Sequence, residues 1–137
     1  MVLGLTAAAA QAQMTPVGLW KSVDDKSGEA KSEIRVAEND GVVTGRIEQI
    51  LRKGADPAAT CTECSDDRKG QPLKGLEIIR GARASADGTV WEGGKILDPE
   101  NGKSYTLRLT PADEGRKLDV RGSIGPFGRT QTWQRVP

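Results

Sequence analysis

The stretch Trp91-Glu92-Gly93-Gly94-Lys95-Ile96-Leu97-Asp98-Pro99-Glu100-Asn101-Gly102-Lys103-Ser104-Tyr105-Thr106-Leu107-Arg108-Leu109 reads as a single antiparallel hairpin. Tyr105, Leu107 and Leu109 alternate with Thr106 and Arg108, the period-two signature of a half-buried strand. Asp98-Pro99-Glu100-Asn101-Gly102 concentrates turn formers between the two arms. The first arm, 90–97, is apolar but interrupted by Gly93-Gly94. Paired glycines inside a strand point to a bulge or a sharp bend, as at the corner of a closed barrel.

The same pattern extends to both sides. Ile34 and Val36 alternate with Glu33 and Arg35, and Asn39-Asp40-Gly41 follows as a tight turn whose residues tolerate positive φ. Val43, Gly45, Ile47 and Gln49 share one face, with Thr44, Arg46 and Glu48 on the other. Residues 76–81 are apolar and fit a short strand or one helical turn, and Ala86-Asp87-Gly88 is a turn. Leu118 and Val120 alternate with Asp119 and Arg121, and after Gly125-Pro126 the last strand is expected from about 129 to 136. Counting the strand that opens at Trp20 gives eight candidates at roughly 13 residues each with its turn, the spacing of antiparallel hairpins. The expected fold is all-β: an eight-stranded antiparallel up-and-down barrel in a single domain. Closure removes both sheet edges and leaves room for side chains or one small ligand. Periodicity alone does not separate this from a two-sheet sandwich.

Composition narrows the function classes. In 137 residues, 20 Lys and Arg balance 19 Asp and Glu for a net charge of +1, so no basic footprint for nucleic acid exists. There is no histidine, which excludes Ser-His-Asp and Cys-His nucleophile pairs, imidazole-held metals and a histidine base. No catalytic constellation, cofactor motif or metal loop is recognisable, and Asp98-Pro99 with Gly102 is more simply a hairpin turn. Residues 1–12 are apolar and end in Ala10-Gln11-Ala12, a small-x-small pattern of secretory cleavage sites, although the basic residues that usually precede such a segment are missing. The expectation is a signal-peptide remnant at 1–12, a mature domain at 13–137 and a periplasmic or secreted location; an Ala-rich N-terminal helix is the other reading. No apolar run is long enough for a transmembrane helix.

Gly18-Leu19-Trp20 near the start and Arg135 near the end resemble the Gly-x-Trp clamp of lipocalins, in which an arginine of the last strand covers the tryptophan at the closed base. The quoted hairpin is similar to the Trp-x-Gly-Gly-x-Ile-x-Asp-Pro-x-x-Gly-x-x-Tyr signature of a bacterial exported family catalogued as domain of unknown function 2147. Leu118-Asp119-Val120-Arg121-Gly122-Ser123-Ile124-Gly125 and Gly128-Arg129-Thr130-Gln131-Thr132-Trp133 resemble its second signature. The likeness spans essentially all of 18–136, including Cys61-Thr62-Glu63-Cys64 and Pro72-Leu73-Lys74-Gly75-Leu76. It implies a lipocalin-like (calycin) barrel and export, and no reaction.

Two groups of residues carry the functional expectations. Trp91, Tyr105 and Trp133 are either ligand contacts or plain core, and Arg121 and Arg129 are either partners for an anionic head group or members of structural ion pairs. Trp91, Tyr105, Arg121 and Trp133 are taken as the candidate ligand set. Cys61 and Cys64 lie in a polar segment at 52–74, long enough to be functional or stapled. A structural disulfide is favoured in an exported chain, ahead of a redox dithiol and of a zinc half-site. The expected role is non-catalytic binding of a small apolar or amphiphilic molecule in the barrel. Thiol–disulfide chemistry at the cysteine pair is one alternative. A protein-interaction module whose barrel is filled by its own side chains is the other.

Overall fold

Alternation resolves into eight strands in the computed structural model, which describes residues 14–137; the leader expected at 1–12 lies outside them. The strands are β1 (Gly18–Val23), β2 (Ala30–Asn39), β3 (Val42–Ile50), β4 (Glu77–Ala84), β5 (Trp91–Asp98), β6 (Lys103–Ala112), β7 (Lys117–Ile124) and β8 (Phe127–Arg135). Each is antiparallel to the next, and β8 returns to β1, closing an up-and-down barrel in a single domain. Its only helical element among the described residues is one 3₁₀ turn at Asp113–Gly115. The turn at Asp40-Gly41 carries two positive φ values, 52° and 81°, as a two-residue hairpin loop of the twist-matching type requires.

The apolar face of every strand meets along the barrel axis. Trp20, Ile34, Val36, Val43, Ile79, Leu107, Leu109 and Leu118 are buried there almost completely. Each such side chain contributes about 1.5–3 kcal/mol by leaving water. Trp91 and Trp133 belong to the same cluster.

Three local readings change. The apolar run at 76–81 is strand, not a helical turn, because it hydrogen-bonds between β3 and β5. Gln49 does not share the face of Val43, Gly45 and Ile47: the register slips where Glu33 pairs Gln49 but Ile34 pairs Ile47, so Gln49 is exposed. The last strand begins at Phe127 rather than near 129. The glycine bulge is real and doubled, with Gly93 at φ +84° on β5 and Gly81 at φ +79° on β4. Between them the strands approach so closely that a Cβ on Gly94 would collide with the Arg80 carbonyl.

The segment 52–74 adds a layer on the outside of the wall, and its buried residues join the same hydrophobic cluster as the barrel core. Ile79 and Ile96 pair across β4 and β5 and face the lumen, so their neighbours Ile78 and Leu97 face outward. Yet Ile78 is 5% and Leu97 3% exposed. The segment covers them. Arg68 donates to the Glu77 carbonyl at 2.9 Å, Arg80 holds Asp67 through both carboxylate oxygens, and Gly102 of the β5–β6 turn packs on the backbone of Glu63. Cys61 and Cys64 are 1% exposed and join the same cluster as Leu76 and partly buried Leu73. Backbone bonds Cys61 N to Gln71 O, Gly70 N to Cys61 O and Leu73 N to Ala59 O tie the segment to itself.

Candidate functional site

The meander places the two barrel ends in different chemical states. The start of β1 at Gly18, the end of β8 at Arg135, the β2–β3 and β4–β5 turns and the 3₁₀ turn gather at one end. There Arg135 lies over Trp20, its guanidinium carbon 4.3 Å from the ring centroid. Arg135 also donates to the carbonyls of Thr15, Val17 and Gly115 at 2.7–2.9 Å, and burial pulls its pKa down. The Trp20 indole donates to the Pro16 carbonyl at 2.7 Å. A Cβ at Gly18 would run into the Arg135 guanidinium, which is why the triplet opens with glycine. This end is sealed.

The β1–β2, β5–β6 and β7–β8 turns and the segment 52–74 surround the other end. Inward positions there are only partly buried: Ser32, Ile50, Ile96, Tyr105, Gly122 and Gln131. They form a partly buried ring of mixed polarity above the solid core, called the cup below. Ion pairs cross its rim, with Glu100 bound by Lys31 at 3.2 Å and by Arg52 at 3.6 Å, and Arg52 also reaching Asp24 and Glu29. Such exposed pairs are worth little each and hold turns in place rather than stabilise the fold. Asp24 is held below the usual carboxylate range, first by the backbone N–H groups of Ser27 and Lys26 and then by Arg52.

The wall is incomplete on one side of this cup. The β1–β8 seam is hydrogen-bonded only near the sealed end, at Trp20↔Arg135 and Lys21↔Gln134. Toward the open end, side chains replace the ladder: Asp25 accepts from Arg129 at 3.1 Å and from Gln131 at 3.5 Å. Where the ladder stops stand Ser22 on β1 and Trp133 on β8. The Ser22 hydroxyl is satisfied by Ser32, 2.9 Å away. Trp133 is 3% exposed, and its indole Nε1 is the one buried side-chain polar atom without a hydrogen-bond partner among the described residues. A buried N–H without an acceptor is disfavoured by about 1–3 kcal/mol.

Of the four residues expected to meet a ligand, three enter the lumen at different heights and one does not enter it. Trp91 begins β5 near the sealed end and is core, opposite Leu109. Tyr105 stands near the open end opposite Ile96, its hydroxyl accepting from Asn101 at 3.1 Å. Trp133 lies at the seam. Arg121 alternates with buried Leu118 and Val120 and is exposed on the outer face. Alternation does not single out the cup residues Ile50, Ile96 and Gln131, because the β3 register slip and the splayed seam are what bring them together.

Cys61 and Cys64 are bonded, with S–S 1.99 Å and Cα–Cα 5.5 Å. They tie the covering segment to itself. Among the described residues no group of three or more His, Cys, Asp or Glu side chains is arranged to hold a metal ion, and no helix is long and apolar enough to cross a membrane.

A closed eight-stranded meander with an arginine-capped tryptophan at its base is a lipocalin-like barrel. The chain belongs to the family described as an uncharacterized protein conserved in bacteria, domain of unknown function 2147, whose model matches residues 18–135. Among solved structures it is similar to protein HP1028 from the human pathogen Helicobacter pylori, described as belonging to the lipocalin family. That likeness has a TM-score of 0.76 at 19% identity and covers 90% of this chain and 84% of the other. No curated protein matches the chain.

Proposed function

We propose that the protein is an exported, non-catalytic carrier that binds a small amphiphilic molecule at the open end of its barrel. The observation that carries this reading is the buried, unpartnered Trp133 N–H beside the splayed β1–β8 seam. An acceptor atom on a ligand would satisfy it, while Ile50, Ile96 and the Tyr105 ring offer apolar contact and the rim offers cations. Because the lumen is filled by Trp20, Ile34, Leu107 and Leu118, the last of which pairs directly with Trp133, the ligand is short and reaches the indole from the side of the seam. Ile50, Ile96, Tyr105 and Trp133 are therefore the proposed contacts, with Trp91 a structural neighbour below. Export is supported by the Ala10-Gln11-Ala12 leader pattern together with a disulfide.

Medium-chain fatty acids and alcohols are suitable probes, read by tryptophan fluorescence and by native mass spectrometry. A saturable change is expected, and Trp133→Phe should weaken it about fivefold to tenfold, the worth of one hydrogen bond to a neutral donor. Equal affinity of the variant would sink the assigned contact, and no binding by the intact protein would sink the carrier reading. The filled lower lumen also favours, as a second reading, a protein-interaction module. A redox role finds less support, since disulfide exchange needs access to a sulfur and both cysteines are 1% exposed.

A further inference from the structure

Strand register sets Arg83, Glu92, Arg108 and Arg121 in one outward row across β4 to β7. A single carboxylate faces three guanidinium groups. Glu92 is committed to Arg108 at 3.3 Å, so Arg121 stands directly opposite a like charge. Like charges in cross-strand positions are mutually destabilising. Beside it, the Gly93 bulge opens a depression of about 490 Å³ lined by Glu92, Thr106, Arg108, Arg121 and Ser123. The Lys95 ammonium donates to the Thr106 hydroxyl at 3.3 Å on its border.

Glycine also shapes this place. A Cβ on Gly128 would overlap Nη2 and Cζ of Arg121 and press on Ser123. The guanidinium thus rests on the bare backbone of β8 at the place where Ser123 pairs with Gly128, and Arg121 and Ser123 both line the depression. Two cations, Arg108 and Arg121, and the hydroxyl-bearing Thr106 and Ser123 line this one open depression, with the Glu92 carboxylate among them.

We propose that this outer depression binds a phosphate-type oxyanion, held by Arg108 and Arg121 with Thr106 and Ser123 donating. Guanidinium forks match the geometry of phosphate oxygens, and an anion between Arg108 and Arg121 turns their repulsion into two attractions. The site lies on the opposite face of the wall from the lumen, so its fate is independent of the carrier reading. The phosphate belongs to a soluble compound or to a lipid head group. The hairpin tip beyond Arg121 carries Ile124 at 52% and Phe127 at 79% exposure, which a membrane surface would cover.

The test has two arms on the folded protein. Inorganic phosphate is titrated while the amide resonances of Thr106 and Ser123 are followed, and vesicles of phosphatidylglycerol or phosphatidylcholine are sedimented with the protein. Arg121→Gln should weaken binding about tenfold or more, as loss of a charge-assisted bond does. Gly128→Ala should weaken it too, though it removes no charge, and thermal melting reports that both variants fold. Phosphate binding without vesicle binding assigns a soluble ligand. Phosphatidylglycerol binding that Phe127→Ser abolishes, with phosphate titration unchanged, assigns a head group. Absence of binding in both arms, or binding that Arg121→Gln leaves unchanged, overturns the proposal.

Discussion

Arg135, the last residue of β8, lies 4.3 Å above the indole of Trp20, the third residue of β1, and so locks the first and last strands together at the sealed end of the barrel. Because β1 and β8 share only two backbone pairs, this contact carries much of the closure. Trp20→Ala should lower stability by about 3–5 kcal/mol, since transfer and cavity effects add in a fully buried ring. Arg135→Ala should cost less, its stem being partly exposed. A double-mutant cycle by denaturant unfolding should give a coupling of about 0.5–3 kcal/mol. Additive effects would remove the clamp as a closure device.

Period-two alternation made the strands legible, because one face of each is core and the other solvent. It failed where that premise fails. Residues 76–81 carry apolar side chains on both faces, since Ile78 is covered from outside by the segment 52–74, and an apolar run does not distinguish strand from helical turn. Arg121 is the converse case. The alternation that marked its strand also placed it outside, opposite Leu118 and Val120, so the ligand-set expectation overlooked a direction already present in the pattern. The cup and the Arg108–Arg121 row were not legible, because both depend on register across bulges that no single strand encodes.

Gly102 tests how tightly the covering segment is seated. Its φ is +76°, and a Cβ there would strike the carbonyl group of Glu63. Gly102→Ala should therefore destabilise by more than about 1 kcal/mol, through backbone strain and a displaced segment together. Hydrogen exchange should accelerate at Cys61 and Gly70 before it does in β6 or β7. Uniform acceleration across the barrel would mean that the segment is not a separable layer.

The disulfide closes a ring of few residues, so its effect on the unfolded chain is modest, about 2 kcal/mol in the loop-entropy model. Reduction in denaturant followed by refolding with the thiols blocked, or Cys61→Ala with Cys64→Ala, should give a folded barrel with a lower melting temperature. Thiol counting on native, unreduced protein should find none reactive, given the burial of both residues. Two readily alkylated thiols would contradict the staple and reopen the redox reading.

Acid should loosen the outer layer in a defined window. Arg68 beside Asp66 holds that carboxyl far below its usual range, first by their side-chain hydrogen bond, and Arg80 lowers Asp67 the same way. The Ser85 and Thr89 hydroxyls hold Asp87 down to about 2. A carboxyl depressed in the folded state adds stability that is complete above its unfolded value, about 3.9, and disappears as pH falls through the folded value. Melting temperature should be flat from pH 7 to about pH 5 and decline below about pH 4. Asp66→Asn should flatten part of that decline while lowering stability at neutral pH. A decline centred near pH 6 would have no group here to explain it, since the chain has no histidine.

Trp133 sets stability against binding. Its buried N–H has no acceptor among the described protein groups, so replacing the indole by a phenyl ring removes an unsatisfied donor along with some volume. The first change favours folding by about 1–3 kcal/mol, and the second opposes it as a partial cavity does. Trp133→Phe should therefore melt close to the wild-type protein, in contrast to Trp20→Phe, which breaks the bond to Pro16 and leaves that carbonyl unmet. With ligand present the order should separate further: the wild-type protein gains thermal stability by mass action and Trp133→Phe gains less. Thermal melting of the wild-type protein and both variants, with and without a bound amphiphile, measures these differences. If Trp133→Phe is as damaging as Trp20→Phe, the indole N–H is already satisfied in the free protein, and the seam offers a ligand no donor.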